Sequence, residues 1–160
     1  MPGRAPIPMS RTPYVAVVGA GDASPEQLHA AEEVGAGLAA AGAVVVTGGL
    51  GGVMEAACRG ARSRRGRTIG MLPGDDRDAA NGWVEIAIAT GLGELRNGLV
   101  VRAADALVAI GGGHGTLSEI ALALKLGRPV VGLGTWDVHG VDHVSTPEDA
   151  LARIAAVLVQ

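Results

Sequence analysis

One stretch of this chain joins an apolar strand, a run of glycines and a helix in direct succession, and this order constrains the fold more than any other feature. Residues 106–110 are apolar, Gly111-Gly112-Gly113-His114-Gly115 follows, and a helix is predicted over residues 116–126. Such a succession is typical of a βα unit in a parallel sheet. Glycines without Cβ atoms let an anion approach the backbone, and the N-terminus of the following helix stabilises its charge. The motif therefore predicts a phosphate-binding loop.

Strand and helix patterns alternate along the rest of the chain as well. The predicted strands are residues 14–18, 43–47, 68–72, 84–89, 106–110 and 129–133, and the predicted helices are residues 25–41, 52–64, 94–103, 116–126 and 147–158. Ser24-Pro25 and Thr146-Pro147 each place a capping hydroxyl before a first-turn proline. Alternating strands and helices imply right-handed crossovers. We therefore expect an α/β fold: a doubly wound parallel sheet, Rossmann-like, in three α/β/α layers.

The length and composition fit one such domain. The chain has 160 residues, and its 48% hydrophobic content comes mostly from Ala, Val, Leu and Ile. An aliphatic core suits parallel strands that are buried on both faces. Residues 1–12 hold three prolines and little hydrophobic periodicity, so they are predicted to be a flexible leader. Residues 13–160 are predicted to form a single nucleotide-binding domain.

Charge, hydropathy and cysteine content limit the partners and the compartment. The formal net charge of −3 offers no broad attraction to nucleic acid or to anionic membranes. Glycines and charges interrupt every apolar run before the roughly 18 residues that a membrane span needs. Cys58 is the only cysteine, so no intrachain disulfide can form, and no apolar signal core opens the sequence. We expect a cytoplasmic protein without nucleic-acid or membrane partners.

Three glycine loops follow predicted strands, and ligands of parallel sheets bind where the strands end. We expect a phosphorylated small molecule there, although glycines in such loops can also serve tight turns alone. His114, within the third loop, either touches the ligand or is merely solvated. The candidate binding positions are Gly19, Gly21, Asp22, Gly48, Gly49, Gly51, Gly52, Met54, Gly111, Gly112, Gly113, His114, Gly115 and Thr116.

Two common nucleotide sites do not fit this chain. The first loop resembles a dinucleotide fingerprint, but Ser24 stands where the third glycine belongs, and Thr47-Gly48-Gly49 brings no acidic residue for a ribose. NAD or FAD binding is therefore not expected. No Gly-Lys-Ser/Thr triplet occurs in the sequence, which argues against a P-loop ATP or GTP hydrolase.

Several motifs together resemble a known superfamily. They are GGLGGVMEA at residues 48–56, Arg96 nine residues before Asp105, and GGGHGTLSE at residues 111–119. The chain resembles the Lonely-guy superfamily, which is commonly labelled lysine-decarboxylase-like. LPGDDR at residues 72–77 and GLGELRN at residues 91–97 are most similar to its molybdenum-cofactor-carrier-like subgroup.

The resemblance implies a homodimer that binds a phosphorylated, nucleotide-like ligand. In its enzyme branch, phosphoribohydrolases cleave the N-glycosidic bond of nucleoside 5′-monophosphates with an arginine and a glutamate that match Arg96 and Glu119. This chain departs from that branch at Gly111, where proline is usual, and at Asn97, where lysine is usual. Two hypotheses stay open: such a hydrolase, or a non-enzymatic carrier or sensor of a phosphorylated ligand such as molybdenum cofactor. Neither requires a further cofactor beyond the bound nucleoside monophosphate or molybdopterin-type ligand.

Lysine decarboxylation is not expected, because pyridoxal phosphate needs a Schiff-base lysine. Lys125, the only lysine, lies late on a predicted helix, where a cation meets the negative end of the dipole.

The two candidate catalytic residues also have structural interpretations. Glu119 stands three residues after Thr116, which is the spacing of a helix capping box. Arg96 lies in the first turn of a predicted helix, where a cation opposes the helix dipole and therefore favours a specific partner. His139 and His143 lie near two aspartates in a loop, but a divalent metal needs more convergent ligands, so no metal site is expected.

Overall fold

The computed structural model describes residues 11–159, so the predicted leader at residues 1–12 lies outside the described residues except for Arg11 and Thr12. The strands are β1 (Tyr14–Gly19), β2 (Val44–Thr47), β3 (Thr68–Leu72), β4 (Ile86–Ala89), β5 (Ala106–Ile110), β6 (Val130–Leu133) and β7 (Asp142–Val144). The helices are α1 (Pro25–Ala40), α2 (Val53–Ser63), α3 (Asn97–Ala103), α4 (His114–Lys125) and α5 (Pro147–Leu158). Short 3-10 turns cover Arg77–Ala79 and Gly93–Arg96.

All seven strands form one parallel sheet in the order β4-β3-β2-β1-β5-β6-β7. The chain winds outward from β1 to β4 and then returns to place β5 on the other side of β1. Gly19, the last residue of β1, pairs in register with Ile110, the last residue of β5. Strand order reverses between these two ends, and ligands of such sheets bind at that point.

Helices cover both faces of the sheet. On one face α1, α2 and α5 pack on inward side chains such as Val17 and Val108. On the other face α3 and α4 pack on side chains such as Val18 and Ala109. Successive strand residues point to opposite faces, and both faces here are aliphatic. The prediction of a doubly wound, three-layer α/β/α sheet is confirmed.

Both predicted helix caps are present. The Ser24 hydroxyl accepts a hydrogen bond from the Gln27 backbone N–H (3.1 Å), and the Gln27 side chain accepts one in return from the Ser24 N–H (3.0 Å). This is a complete capping box. The Thr146 hydroxyl likewise accepts from the Asp149 N–H at 3.1 Å.

Some predicted boundaries were wrong. The strand β7 was missed, because its three residues include Asp142 and His143 and lack an apolar pattern; it pairs only with β6, at one edge of the sheet. The predicted helix over residues 94–103 is a 3-10 turn that runs into α3. Strand β4 begins two residues later than predicted, because Val84 donates its N–H to the Asn81 carbonyl in a turn.

No helix in the described part of the chain is both long and apolar enough to cross a membrane.

Helices α1 and α2 approach each other at a pair of glycines. A Cβ atom at Gly35 would overlap the carbonyl oxygen of Ala57, and one at Gly60 would overlap the carbonyl oxygen of Glu32. Both obstacles are backbone atoms, which cannot move without shifting a helix. The contact fixes how α2 sits over the ends of β1 and β2.

We expect Gly60→Ala to lower the free energy of unfolding by about 1–3 kcal/mol, the usual cost of overpacking. The matched control is Gly98→Ala in α3, where a new Cβ meets only a leucine methyl at 3.7 Å. That substitution should be neutral or stabilising by up to about 1 kcal/mol, because alanine favours helix. Urea denaturation measures both; equal effects at the two positions would contradict the close helix contact.

Candidate functional site

A cavity of about 210 Å³ opens at the point where β1 and β5 end side by side. Four segments surround it: the loops after β1 and β2, the start of α3 with the residue before it, and the start of α4. Its lining residues are Val18, Gly19, Ala20, Gly21, Gly48, Met54, Arg96, Asn97, Gly113, Gly115, Thr116 and Glu119. Nine of these are candidate residues from the sequence. The structure thus brings parts of all three glycine loops to one cavity.

The start of α4 is open toward this cavity. Gly113 is the N-cap residue, and no side chain caps the helix. A Cβ atom at Gly113 would meet nothing within 4 Å, and neither would one at Gly21 across the cavity. Backbone N–H groups in the first turn of a helix stabilise anions. This end of the cavity is suited to an anionic group such as phosphate.

Gly48 makes room for the side chain of Arg96. A Cβ atom at Gly48 would lie 2.8 Å from Arg96 Nη2 and 2.9 Å from Met54 Sδ. Arg96 donates from Nε to the Met71 carbonyl at 3.0 Å and from Nη1 to the Asn97 side-chain oxygen. These contacts hold the guanidinium in place at the cavity wall. An arginine held in this way can clamp a phosphate group.

Glu119 lies on α4, one turn after the glycines, and faces the same cavity. Burial raises the pKa of its carboxyl group to about 7, and the positive charge of Arg96 opposes this rise. Burial also lowers the pKa of Arg96, against the charges of Glu119 and Glu94. At neutral pH Glu119 is therefore divided between the carboxylate and the neutral acid, which can donate a hydrogen bond.

The capping-box interpretation of Thr116 and Glu119 is wrong. Helix α4 begins at His114 with Gly113 as its N-cap, so Thr116 is already its third residue. The Thr116 side chain is buried and fills the space that a Cβ atom on Gly112 would take. The predicted helix started two residues late because Gly115 was assigned to the loop. Glu119 is thus free of the capping role and faces the cavity.

Several of the predicted binding glycines are not among the residues that line this cavity, and their contacts shape the loops. The Gly49 N–H donates to the Thr47 hydroxyl at 3.0 Å, and the Gly49 carbonyl accepts from Asn81. Gly52 is the N-cap of α2, with a φ of +67°, and packs against the loop after β1. A side chain on Gly111 would overlap that of Gln27. Gly49, Gly52 and Gly111 thus shape the loops. Gly51 and Gly112 are also absent from the cavity lining.

Asp22 and His114 are also not among the residues that line the cavity, although each follows a glycine that does. Asp22 borders a separate cavity of about 260 Å³ with Glu55 and Arg59. The His114 ring stacks on that of Trp136, with ring centroids 5.7 Å apart and planes inclined by 25°. Trp136 follows β6 and belongs to none of the three glycine loops, so no sequence motif marks it.

Three lining residues were not among the candidates: Val18, Ala20 and Asn97. Val18 and Ala20 alternate with the predicted Gly19 and Gly21 at the end of β1. They line the cavity because of their place at this strand end. At Asn97 the sequence comparison shows only that lysine is usual there in the enzyme branch. It predicts no binding role for Asn97, although the neighbouring Arg96 is a candidate. Its side chain accepts from Arg96, so its role is to orient the guanidinium.

The histidines after β6 do not form a metal centre with the aspartates nearby. His143 Nε2 lies 3.8 Å from Asp137 Oδ1, which is a loose pair. Within residues 11–159, no group of three or more histidine, cysteine, aspartate or glutamate side chains could hold a metal ion.

Comparison with known proteins finds relatives over nearly the whole chain. The molybdenum cofactor binding protein of the phototrophic bacterium Rippkaea orientalis is 38% identical, with a TM-score of 0.89 over 94% of this chain and 99% of that one. The molybdenum cofactor carrier protein of Chlamydomonas reinhardtii is 37% identical, with a TM-score of 0.87 over 94% and 100%. An uncharacterized protein of Archaeoglobus fulgidus is 44% identical over 138 residues, which are 86% of this chain and 91% of that protein.

A family model described as the SLOG cluster4 family matches residues 12–157, from just before β1 to the last turn of α5. This family is Lonely-guy-like, and the two structural relatives named above are a molybdenum cofactor binding protein and a molybdenum cofactor carrier protein. The resemblance to the Lonely-guy superfamily and to its molybdenum-cofactor-carrier-like subgroup is therefore confirmed. The chain belongs to the SLOG cluster4 family.

Proposed function

We propose that this protein is a carrier that binds a phosphorylated ligand of the molybdopterin type and releases it unchanged. The observation that carries the proposal is the cavity in which an uncapped helix start, two open glycines and the fixed Arg96 guanidinium meet. The cofactor-binding relatives in Rippkaea and Chlamydomonas support the identity of the ligand.

The donors in the cavity fit the phosphate group of such a ligand. Backbone N–H groups at the start of α4 and the guanidinium of Arg96 are strong donors to phosphate oxygens. Gly113 and Gly21 leave the space that an anion needs. Whole-ligand pockets usually measure about 300–1,000 Å³, so a cavity of about 210 Å³ holds the phosphate with its adjoining atoms. A molybdopterin and a nucleoside monophosphate share that part.

A second candidate function is hydrolysis of the N-glycosidic bond of nucleoside 5′-monophosphates. The observation that favours it is that Arg96 and Glu119 line the same cavity. Glu119 could stabilise the positive charge that develops on the ribose. However, it is the only acid among the described residues that line the cavity, and hydrolysis of this kind usually employs a second group to protonate the leaving base. Carriage needs no such group and is the function we favour.

We expect Gly113→Asp to lower the affinity for inorganic phosphate and for molybdenum cofactor at least about tenfold, because it sets a like charge beside the anion. Aspartate is a favourable N-cap residue, so the fold should be retained. The matched control Gly113→Asn adds a neutral cap of the same size and should change affinity by less than about threefold. Calorimetry measures phosphate binding, and gel filtration with pterin fluorescence measures the cofactor.

Turnover is checked by incubating the wild-type protein with a panel of nucleoside monophosphates and separating the products by chromatography. The carrier should release no free base. Base release that is lost in Glu119→Gln would establish the hydrolase in its place. Equal phosphate and cofactor binding by wild type and Gly113→Asp would remove the proposed site altogether.

Ligand binding should be linked to protonation of Glu119. An anion in the cavity favours the neutral acid, whose pKa already lies at about 7. Affinity relative to Glu119→Gln should therefore be constant below about pH 7 and fall above it, by at most about tenfold per pH unit. Calorimetry from about pH 6 to 9 measures the affinity of the wild type divided by that of Glu119→Gln. Ionisation of the ligand affects both proteins equally and does not change this ratio. A ratio that does not change with pH would contradict the linkage.

The raised pKa of Glu119 also determines whether the protein without ligand becomes more or less stable as pH rises. Between about pH 4.5 and 7 the folded protein retains a proton on Glu119 that the unfolded chain has lost. Stability therefore falls as pH rises through this window. Glu119→Gln should remove that part of the decline.

We also propose that the protein forms a homodimer and acts in the cytoplasm. Apolar side chains are exposed along one segment around β4, an edge strand, and the start of α3. Contiguous exposed apolar surface of this kind marks an interaction site, and an open strand edge favours pairing. The exposed residues are Trp83, Ile86, Ile88, Leu92, Leu95 and Leu99.

Leu95→Glu should convert the dimer to a monomer, because it places a charge within this segment at a side chain that is 79% exposed. Val159→Glu is the control, since Val159 is 85% exposed but lies after α5. Light scattering during gel filtration at micromolar concentration gives the mass of each variant. A monomeric wild type would overturn the dimer.

A further inference from the structure

We propose that His114 and Trp136 form a stacking platform for a planar heterocycle whose phosphate lies in the cavity. This inference rests on the proposed function and specifies its ligand: a phosphorylated compound with a flat, conjugated ring. The aromatic pair decides which phosphorylated compounds bind well, whereas the cavity supplies their common anchor.

The size of the cavity requires contacts outside it. A space of about 210 Å³ is smaller than a pocket for a complete nucleotide-sized ligand. Whatever is attached to the phosphate therefore continues beyond the lining residues. The ring system needs a surface next to the cavity mouth.

Trp136 is fixed beside that mouth. Its indole Nε1 donates to the carbonyl oxygen of Gly113 at 2.9 Å, and Gly113 itself lines the cavity. The neighbouring Thr135 donates from its hydroxyl to the Gly111 carbonyl at 2.7 Å. Two hydrogen bonds thus tie the segment after β6 to the glycine loop after β5. The hydrogen bond to Gly113 therefore places the indole next to the phosphate site.

His114 links the two parts of the site. It lies between Gly113 and Gly115, both of which line the cavity, and its exposed ring stacks on Trp136. A centroid separation of 5.7 Å falls within the range of favourable aromatic pairs. The stacked imidazole holds the indole in a fixed orientation, so that an open ring face of the pair can take a ligand ring.

The Trp136 indole offers accessible aromatic surface beside the candidate site. The sequence contains two tryptophans, one tyrosine and no phenylalanine. One of these few aromatic side chains is 36% exposed beside the candidate site. Flat aromatic surface kept accessible next to a phosphate site is how proteins bind the bases of nucleotides.

The test compares two probes, guanosine 5′-monophosphate and ribose 5-phosphate, which share the sugar phosphate and differ in the ring. The wild-type protein should bind the nucleotide about tenfold or more tightly than the sugar phosphate, the size of a base stack. Trp136→Ala should remove most of this difference and leave ribose 5-phosphate affinity within about twofold. Trp136→Phe loses the hydrogen bond to Gly113 but keeps a ring, so most of the preference should remain. Calorimetry measures all affinities.

His114→Ala should lower the preference for the nucleotide, whereas His29→Ala, which removes an exposed histidine from α1, should not. Equal binding of the two probes by the wild type would overturn the platform but leave the phosphate site standing. Trp136→Ala that weakens both probes equally would also overturn it, by showing that the indole only shapes the loop. If neither probe binds while inorganic phosphate and molybdenum cofactor do, the platform is overturned and the proposed function stands; if none of the four binds, both fail.

Discussion

Close approach of backbone to backbone at glycines is the constraint on which this site depends. A Cβ atom on Gly19 would overlap the carbonyl oxygen of Ile110, and one on Gly52 would overlap that of Ala20. Without these side chains, β1 and β5 end side by side and α2 begins directly above them. The loops after β1, β2 and β5 then enclose a single small cavity, because none of them is held apart by a side chain.

The electrostatics of the cavity explain how it can contain a carboxyl group and still receive an anion. Burial shifts the pKa of Glu119 upward and that of Arg96 downward, and each charge limits the shift of the other. The guanidinium remains charged, since arginine does not lose its proton in proteins. The carboxyl group can take up a proton near neutral pH. The Arg96–Glu119 pair therefore carries a net positive charge when the acid is neutral, which favours an anion, and no net charge when the acid is ionised.

The sequence predicted much of the fold, because apolar strands and capped helices are local patterns. Six strands and five helices follow from them, while β7, with its charged residues, does not. The site was harder to predict at the level of single residues. Gly113 borders open space and Gly48 makes room for Arg96, yet the two look alike in sequence. The difference is set by contacts between positions far apart along the chain, and these become visible only in the folded structure.

The contact between Gly48 and Arg96 has a consequence for how the family is compared. These two positions, 48 residues apart, share one volume, since a Cβ atom at the first would lie 2.8 Å from the guanidinium of the second. In a relative with a side chain at position 48, an arginine at position 96 would have to take another rotamer. An arginine at position 96 by itself is therefore a poor sign that a relative binds the same kind of ligand. The glycine at position 48 and the arginine at position 96 should be compared together as a pair.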